Sequence, residues 1–457
     1  MGSLPLDTLQ PLDPDTFAVD SSAVVDFLAG YYRDVDKYPV PAADLEPGRL
    51  RKLLPDAAPE FGEPTERILD DVRHDVLPGL THWQNPNFFA YFPMNASAAG
   101  FAGEMLSVGL NVVPFVWVAS PAAAELEAVV VDWMARLVGL PDRFVFSGGG
   151  GGVLQGSTCE ATHATFQKGA RLVGIPPANF RVIPTTAASG YALTGGAVRA
   201  AVEDDVARGL VPLYLCATVG TTGVGAVDPV RELGEVACRH GMWLHVDAAY
   251  AGSAAICPEY QGYLDGAELA DSVSMNPHKW FLTNMDCCCL WVASPAALTA
   301  ALSTDPEYLK NVGDAAAAAA IDYKDWQISL SRRFRAMKLW FVLRRYGAAG
   351  MRAYIRRHVA MAEWFERAVN ADERFEVVAQ RRFSLVCFRL RRDDDMVNRE
   401  LLAAVNASGR AFMTHFVVES KFVIRLAVGG AMTEMRHVRD AWELVQRTAE
   451  QLLLQRR

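Results

Sequence analysis

The sequence lacks the features that mark secreted, membrane-spanning or nucleic-acid-binding proteins. Only eight of its 457 residues are cysteine, and the consecutive Cys287, Cys288 and Cys289 suit neither a disulfide framework nor one metal ion, because neighbouring strand residues point to opposite faces. No signal peptide is evident at the N-terminus, and no uncharged apolar run is long enough to cross a membrane. The net charge of −9 argues against a nucleic-acid partner. We therefore expect a cytoplasmic protein without a metal site.

The sequence has the composition of a globular protein and a repeating strand–helix pattern. Hydrophobic residues make up 51% and charged residues 21%. Between about residues 125 and 300, short apolar runs such as 213–218 and 242–247 alternate with helical patterns. One such helix has both ends marked, by Asp228 as a cap, Pro229 in the first turn and Gly241 at the close. The pattern predicts an α/β fold with a mostly parallel sheet flanked by helices.

Three regions are predicted along the chain. Residues 1–96 form a helical segment that packs on the main domain or on a second subunit, residues 97–345 a large α/β domain, and residues 346–457 a small α+β domain. The last region has strand-like runs at 383–390 and 422–427 and a closing helix from Glu434. The six alanines at 315–320 are interpreted as part of a loop that can move.

Lys279, in the stretch Asn276-Pro-His-Lys-Trp280, lies just after a strand-like run. Ligand chemistry in α/β folds gathers at such strand ends, and a lysine there can form an imine with pyridoxal phosphate. Asp247 ends a strand about thirty residues earlier. Its carboxylate could keep a pyridine nitrogen protonated, or could simply cap a turn. The small residues Ala248 and Ala249 would let a flat ring approach the backbone.

A second signal is the glycine run 148–152, which is followed by Gly156-Ser-Thr158. Glycines permit close backbone approach, and the N-terminus of a following helix would offer N–H groups to a phosphate. The run matches neither a Walker loop nor a dinucleotide fingerprint, so a flexible linker is the alternative. Thr218 to Thr222 follow another strand and supply hydroxyl groups at the same predicted edge.

Together these residues resemble the pyridoxal-phosphate-dependent aromatic amino acid decarboxylases, in particular their plant branch of tyrosine/DOPA and tryptophan decarboxylases. The resemblance runs through nearly the whole chain. The matching stretches are 82–93 (HWQNPNFFAYFP), 119–122 (ASPA), 245–253 (HVDAAYAGS), 276–280 (NPHKW), 325–327 (DWQ) and 332–334 (RRF). It implies fold type I of the pyridoxal-phosphate-dependent transferases, with a homodimer whose active sites form at the subunit interface.

The resemblance also implies roles for individual residues. Lys279 would be the Schiff-base lysine, Asp247 the partner of the pyridine nitrogen and His163 the histidine stacked over the ring. The remaining residues near the cofactor would be Ser157, Thr158, Thr222, Ala249, Asn276 and His278. The substrate pocket would be lined by Trp83, Tyr91, Phe92 and Pro93, by Phe115 from the partner subunit, and by Ser331.

Tyr323 and Ser331 bear on the reaction that is predicted. Tyr323 matches the tyrosine on a mobile loop that protonates Cα, which favours release of an amine, although it could also be an ordinary loop tyrosine. Ser331 stands where relatives with serine prefer phenolic substrates, so we predict a tyrosine or DOPA decarboxylase. The alternatives are a tryptophan decarboxylase giving tryptamine, an aromatic acetaldehyde synthase, and, more remotely, a phosphate-binding module without catalysis.

One departure from the family pattern lies between Thr158 and His163. Relatives have several tens of residues there, which form a helix and a strand, whereas this sequence joins the two positions directly. We favour the interpretation that residues are missing from the chain at this join. A genuine join would leave the site incomplete.

Overall fold

The structure is a computed structural model that describes residues 10–42, 46–157, 164–304, 320–392 and 394–456. Its α-helices are α1 (Pro14–Asp34), α2 (Arg49–Leu53), α3 (Thr65–Asp71), α4 (Ala98–Leu110), α5 (Pro121–Leu137), α6 (Ala164–Leu172), α7 (Gly195–Ala207), α8 (Val230–His240), α9 (Pro258–Gln261), α10 (Pro277–Trp280), α11 (Pro295–Leu302), α12 (Ala336–Asn370), α13 (Asp395–Ala407) and α14 (Met435–Gln455). Its strands are β1 (Gly151–Gln155), β2 (Tyr214–Thr218), β3 (Trp243–Asp247), β4 (Ser272–Met275), β5 (Cys288–Val292), β6 (Phe375–Val377), β7 (Leu385–Leu390), β8 (Thr414–Val418) and β9 (Lys421–Ala427).

The central sheet has the strand order β1-β5-β4-β3-β2. The pairs β2–β3 and β3–β4 are parallel, whereas β5 runs antiparallel to both of its neighbours. Strands β1 to β4 therefore point the same way and β5 points the opposite way. The predicted α/β class is confirmed, with a sheet that is mixed because of β5. Strands β4 and β5 are buried along their whole length, as expected for a sheet covered on both faces.

Helix α8 illustrates how local sequence sets an element between two parallel strands. Gly241 closes it with a φ of +63°, as predicted, because glycine adopts the left-handed region without strain. The prediction for Asp228 as its cap is wrong, since Pro229 is the N-cap residue. The Asp228 carboxylate instead accepts the backbone N–H groups of Leu193 and Thr218, at 2.7 and 2.8 Å. Asp228 therefore ties the end of β2 to a neighbouring loop.

A second sheet, in the order β6-β7-β9-β8, is antiparallel. With α12, α13 and α14 it encloses its own cluster of buried hydrophobic residues, and α12 is interrupted at Gly347, whose φ is +62°. Residues 88–92 also pack here, because the Phe89 N–H donates to the Phe412 carbonyl and the Phe89 carbonyl accepts from the Ala427 N–H. This packing carries Tyr91 and Phe92 from the small sheet toward the large one.

The N-terminal helices lie on the outside of the molecule. Helix α1 is capped by Asp13, whose carboxylate accepts the Thr16 N–H at 2.8 Å. Several of its apolar side chains are exposed in the single chain: Phe17, Val19, Val24, Val25 and Tyr32. Among the residues described, no helix combines the length and the apolar character that a membrane span requires.

Candidate active site

The carboxyl ends of β1 to β4 meet at one edge of the central sheet. Because these four strands point the same way, the residues that follow them are delivered to one place. Ser157 follows β1, Thr222 lies shortly after β2, Asp247 ends β3, and Lys279 follows β4. The edge therefore brings together the main residues that the sequence predicted for the site.

Backbone hydrogen bonds lock the ends of β3 and β4 to each other. Asp247 is in register with Ser274, and the Ala248 N–H donates to the Ser274 carbonyl at 2.9 Å. One step further, the Asn276 N–H donates to the Ala249 carbonyl at 3.1 Å. The short helix α10 starts here and carries Lys279 on its third residue, beginning with a proline as helices often do. These hydrogen bonds thus fix the backbone of Lys279 relative to that of Asp247.

Asp247 is buried, and its carboxylate is bound to the local backbone. It is 7% exposed, and its carboxylate accepts the Ala249 N–H at 2.9 Å. His245, two residues earlier on the same strand, is held between the hydroxyls of Ser272 and Ser274. Burial lowers the pKa of His245 to about 4, so this imidazole is neutral at pH 7 and adds no positive charge beside the carboxylate.

His278, next to Lys279, is also neutral and has a defined role as an acceptor. Its Nδ1 atom accepts the Cys287 N–H at 3.0 Å. Burial, reinforced by the positive charge of Lys279, lowers its pKa to about 4. A neutral imidazole that accepts at Nδ1 carries its proton on Nε2. His278 therefore offers one N–H donor, the kind of group that a phosphate accepts from.

Aromatic residues form a wall beside Lys279. The Lys279 amine lies 5.9 Å from the centre of the Phe92 ring, and Phe92 stacks on Tyr250 with ring centres 3.7 Å apart. The Tyr250 hydroxyl shares a 2.6 Å hydrogen bond with the Ser384 hydroxyl. Phe92 is thus placed near the lysine, whereas Tyr250 is a neighbour that sequence reasoning did not single out.

Arg425 is a second residue that sequence reasoning missed. It is 3% exposed, and its guanidinium lies 5.2 Å from the centre of the Phe92 ring. It donates to the carbonyls of Gly223 and Tyr91 and to the Thr414 hydroxyl. Burial lowers its pKa. Arg425 fixes the segment 91–92 from β9, a distance of more than 300 residues along the chain, so no local sequence signal could have revealed it.

The other predicted pocket residues are spread around this wall. Trp83 stacks on Tyr91 with ring centres 5.5 Å apart, and Tyr91 is half exposed with a φ of +53°. Pro93 is buried and lies against Gly429. Phe115 is partly buried, and Ser331 is exposed in the single chain. The segment that contains Phe115 is hydrogen-bonded to the segment that leads to Ser331, because the Phe115 carbonyl accepts the Lys324 N–H at 2.7 Å.

Tyr323 lies in a setting that differs from the mobile loop that the sequence predicted. It begins a short 3₁₀ helix, is fully buried, and packs with Val153, Leu290 and Trp326. The Arg332 guanidinium covers its ring at 4.4 Å. Its hydroxyl has no hydrogen-bond partner among the described residues, and burial raises its pKa well above the usual value. Its predicted role as a proton donor stays a prediction, one that requires Tyr323 to leave this packing.

The glycine run is not a phosphate loop. Its last two glycines belong to β1, and a side chain on Gly151 would lie 2.5 Å from the Phe146 ring and 2.7 Å from the Trp326 ring. At Gly150 a side chain would collide with the Arg143 carbonyl. The run therefore lets β1 pack closely against the protein's own atoms. Only Ser157, after the strand ends, lies at the site edge; Thr158 and His163 fall outside the described residues.

The residues at this edge of the sheet can be compared with what pyridoxal phosphate requires of its binding site. The cofactor needs an amine for its aldehyde, an acid for its ring nitrogen, donors for its phosphate and flat space for its ring. Lys279, Asp247 and His278 supply the first three. Ala248 and Ala249, beside Asp247, have side chains of one methyl group, small enough for a flat ring to lie against the backbone. The residues present fit the group.

Comparison with known proteins gives a consistent result. Residues 47–166 and 158–391 match the pyridoxal-dependent decarboxylase conserved domain. Tyrosine decarboxylase 1 of Narcissus pseudonarcissus is 51% identical over 488 aligned residues, which cover 97% of this chain and 94% of that protein. Phenylacetaldehyde synthase of Petunia hybrida is 50% identical over 491, which cover 98% and 96%. The crystal structure of Catharanthus roseus tryptophan decarboxylase in complex with L-tryptophan superimposes with a TM-score of 0.92 at 46% identity, covering 97% of this chain and 100% of that one.

The match to the family profile is split where the sequence departs from the family pattern. The two matched segments, 47–166 and 158–391, overlap at residues 158–166, which contain the join between Thr158 and His163. The alignment to the Narcissus enzyme spans 488 residues, more than the 457 of this chain, so that enzyme has residues without a counterpart here. Apart from this join the match extends through most of the sequence, and the chain belongs to the pyridoxal-dependent decarboxylase family.

Proposed function

We propose that this protein removes the carboxylate of an aromatic L-amino acid, with tyrosine or DOPA preferred over tryptophan, and releases the aromatic amine and CO₂. The observation that carries the proposal is the meeting of Lys279 and Asp247 at one sheet edge, beside an aromatic wall. By their names, the Narcissus and Catharanthus relatives decarboxylate aromatic amino acids, and the Petunia relative forms an aromatic aldehyde. A module that only binds phosphate would need neither the buried acid nor the amine.

The residues of this site have distinct tasks in the reaction. The Lys279 amine would hold the cofactor through its aldehyde group. Asp247 would keep the ring nitrogen of the cofactor protonated, and His278, whose proton lies on Nε2, would offer a donor for its phosphate. Pyridoxal phosphate, when bound, supplies an electron-poor ring that accepts the electron pair left when the carboxylate departs as CO₂. Cα then takes up one proton, for which Tyr323 is the predicted donor.

The covalent role of Lys279 is tested by absorbance. Purified protein loaded with pyridoxal phosphate should absorb light at longer wavelength than the protein alone, and should turn over tyrosine. The variant Lys279→Ala should lose this absorbance and its activity, whereas Lys324→Ala, which removes a lysine held by Asp325, should keep the absorbance. Equal absorbance in Lys279→Ala and the unchanged protein would overturn the assignment.

The preference for phenolic substrates rests on Ser331. A hydroxyl in the pocket can pair with a phenol, and a polar group left without its partner penalises other rings. We expect Ser331→Gly to lower kcat/KM for tyrosine about tenfold relative to tryptophan, as measured in competition between the two substrates. Ser329→Gly, two residues away in the same segment, is the matched control. A ratio that stays constant would remove Ser331 from specificity.

An aldehyde synthase is the near alternative, because the Petunia relative is about as similar as the Narcissus one. Such an enzyme consumes O₂ and releases ammonia and hydrogen peroxide along with the aldehyde and CO₂. Product analysis distinguishes the two, and we expect amine without peroxide. Peroxide formed in step with CO₂ would favour the alternative.

We further propose that the working unit is a homodimer. Apolar side chains on α1 and α4 are exposed in the single chain, among them Phe17, Val25, Leu106, Val108 and Leu110, and such surfaces mark association. The exposed Ser331 and the partly buried Phe115 would then meet the partner's site. Lys279→Ala and Ser331→Tyr should each be inactive alone, and mixing the two should restore part of the activity if the sites are shared; no recovery would contradict a shared site.

A further inference from the structure

Asn95 is a buried residue that contacts the chain on both sides of Lys279. Its backbone N–H donates to the His278 carbonyl at 2.8 Å. Its side-chain Oδ1 atom accepts the Leu282 N–H at 3.2 Å. The first of these bonds reaches the residue before the lysine, and the second reaches the third residue after it. Asn95 therefore holds the turn that carries Lys279 from both ends.

The Asn95 side chain is itself fixed from the C-terminal part of the molecule. Its Nδ2 atom donates to the Gly429 carbonyl at 2.6 Å, and its Oδ1 atom also accepts the Tyr354 hydroxyl at 2.9 Å. Tyr354 lies on α12, and Gly429 follows β9. An amide suits this place, because one short side chain supplies a donor for Gly429 and an acceptor for Leu282. The hold on the turn thus rests on elements outside it.

The turn needs this support because the backbone of Leu282 is strained. Its φ is +52°, in the left-handed region that a leucine rarely adopts. Such a conformation persists only where its surroundings hold it, and it is often found at functional sites. Here the Ser97 hydroxyl donates to the Leu282 carbonyl at 2.7 Å, while Asn95 accepts the Leu282 N–H. Both backbone polar groups of Leu282 are therefore held by the segment 95–97.

The same segment continues from the aromatic wall. Asn95 lies three residues after Phe92, and the Lys279 amine lies 5.9 Å from the centre of the Phe92 ring. Covalent chemistry depends on the position of a reacting group to within about an ångström. Asn95 thus fixes the position of the lysine turn relative to the wall.

We propose that Asn95 is a positioning residue for Lys279, which it holds, through Leu282, where the lysine amine reaches the aldehyde of pyridoxal phosphate. This inference rests on the proposed function of Lys279. Attachment forms a C=N bond, and the aldehyde oxygen leaves with both amine hydrogens as water. Asn95 therefore acts on covalent attachment, and not on the contacts that Asp247 and His278 offer to the ring and the phosphate.

Two forms of the cofactor separate these effects. Pyridoxal phosphate reacts with an amine, whereas pyridoxamine phosphate has no aldehyde and binds only through its ring and phosphate. We expect Asn95→Leu to raise the dissociation constant of pyridoxal phosphate about tenfold or more, since a small displacement of a reacting group has effects of this size. The constant for pyridoxamine phosphate should stay nearly the same. Titrations followed by protein fluorescence measure both constants without substrate.

Tyr354→Phe is the matched control. It removes a buried hydroxyl from the same cluster, while Asn95 still holds Leu282 and Gly429. Both dissociation constants should equal those of the unchanged protein, even though the variant melts at a lower temperature. Ser97→Ala removes the second hold on Leu282 and should raise the constant for pyridoxal phosphate in the same direction. It replaces Asn95→Leu if that variant does not fold.

The ratio of the two dissociation constants decides the outcome. A ratio in Asn95→Leu equal to that of the unchanged protein overturns the inference, whether both constants rise together or neither changes. The same holds for Ser97→Ala where it takes the place of the first variant. Failure of the proposed function gives a different result, because Lys279→Ala and the unchanged protein would then bind pyridoxal phosphate equally.

Discussion

Tyr323 places a polar hydroxyl group in a fully buried setting. Its hydroxyl is buried and has no hydrogen-bond partner among the described residues. A buried hydroxyl without a partner costs about 1–3 kcal/mol, so Tyr323→Phe, which keeps the ring and the contact with Arg332, should raise the free energy of unfolding by about 1 kcal/mol. Thermal melts measure this. Tyr346→Phe, at a partly buried tyrosine on α12, is the control and should change stability less.

The same variant decides the predicted role in protonation. Loss of a proton donor lowers kcat by about a hundredfold or more, so a more stable but slow Tyr323→Phe would support the prediction. A variant with unchanged kcat would exclude it. Tyr308, the other tyrosine between β5 and Trp326 in the sequence, would then be the residue to change next.

The residues of the site differ in how far the sequence could predict them. Lys279 and Asp247 were predictable, because Asp247 ends and Lys279 follows a strand-like run, and parallel strands deliver their ends to one edge. Arg425 and Tyr250 were not, because their partners Tyr91 and Ser384 lie far away in the sequence. Local patterns record which strand a residue ends, but not which distant loop packs on it.

At the scale of elements, a buried ion pair joins three segments near the site. Arg332 and Glu127 are 2.6 Å apart, and both side chains are fully buried. Arg332 also donates to the carbonyls of Pro114 and Leu154, and Glu127 accepts the Leu154 N–H. The pair thus fixes β1 to α5 and to the segment that carries Ser331.

Removing one partner should leave the other charge buried and uncompensated. We expect Arg332→Met to lower the free energy of unfolding by about 3–5 kcal/mol, measured by chemical denaturation. Arg333→Met removes a half-exposed arginine that pairs with Glu104 and should cost less than about 1 kcal/mol. Similar losses in the two variants would contradict the structural role of the buried pair.

The glycine run shows where element prediction from this sequence failed. Five glycines in succession are typical of a loop, yet Gly151 and Gly152 start β1. The reason is packing, since the rings of Phe146, Trp291 and Trp326 occupy the space that side chains would need. Such crowding depends on residues up to 175 positions away, so the local sequence did not reveal it.

At the scale of the whole molecule, buried histidines make stability depend on pH. Burial lowers the pKa of His245 and His278 to about 4 and that of His358 to about 3, from 6.5. Unfolding restores the ordinary pKa, so between pH 6.5 and 4 the unfolded chain binds more protons than the folded one. Stability must therefore fall as the pH falls through this window.

His358 allows this to be tested away from the site's reacting groups. It is fully buried, and its Nδ1 accepts the Trp280 indole N–H at 2.9 Å. His358→Asn keeps an acceptor there but cannot bind the extra proton, so it should remove about 2 kcal/mol of the destabilisation between pH 7 and pH 5. Melting temperatures across this range, with the exposed His74→Asn as control, measure the effect. If the melting temperature changed equally with pH in the unchanged protein and in both variants, the acid sensitivity would come from groups other than His358.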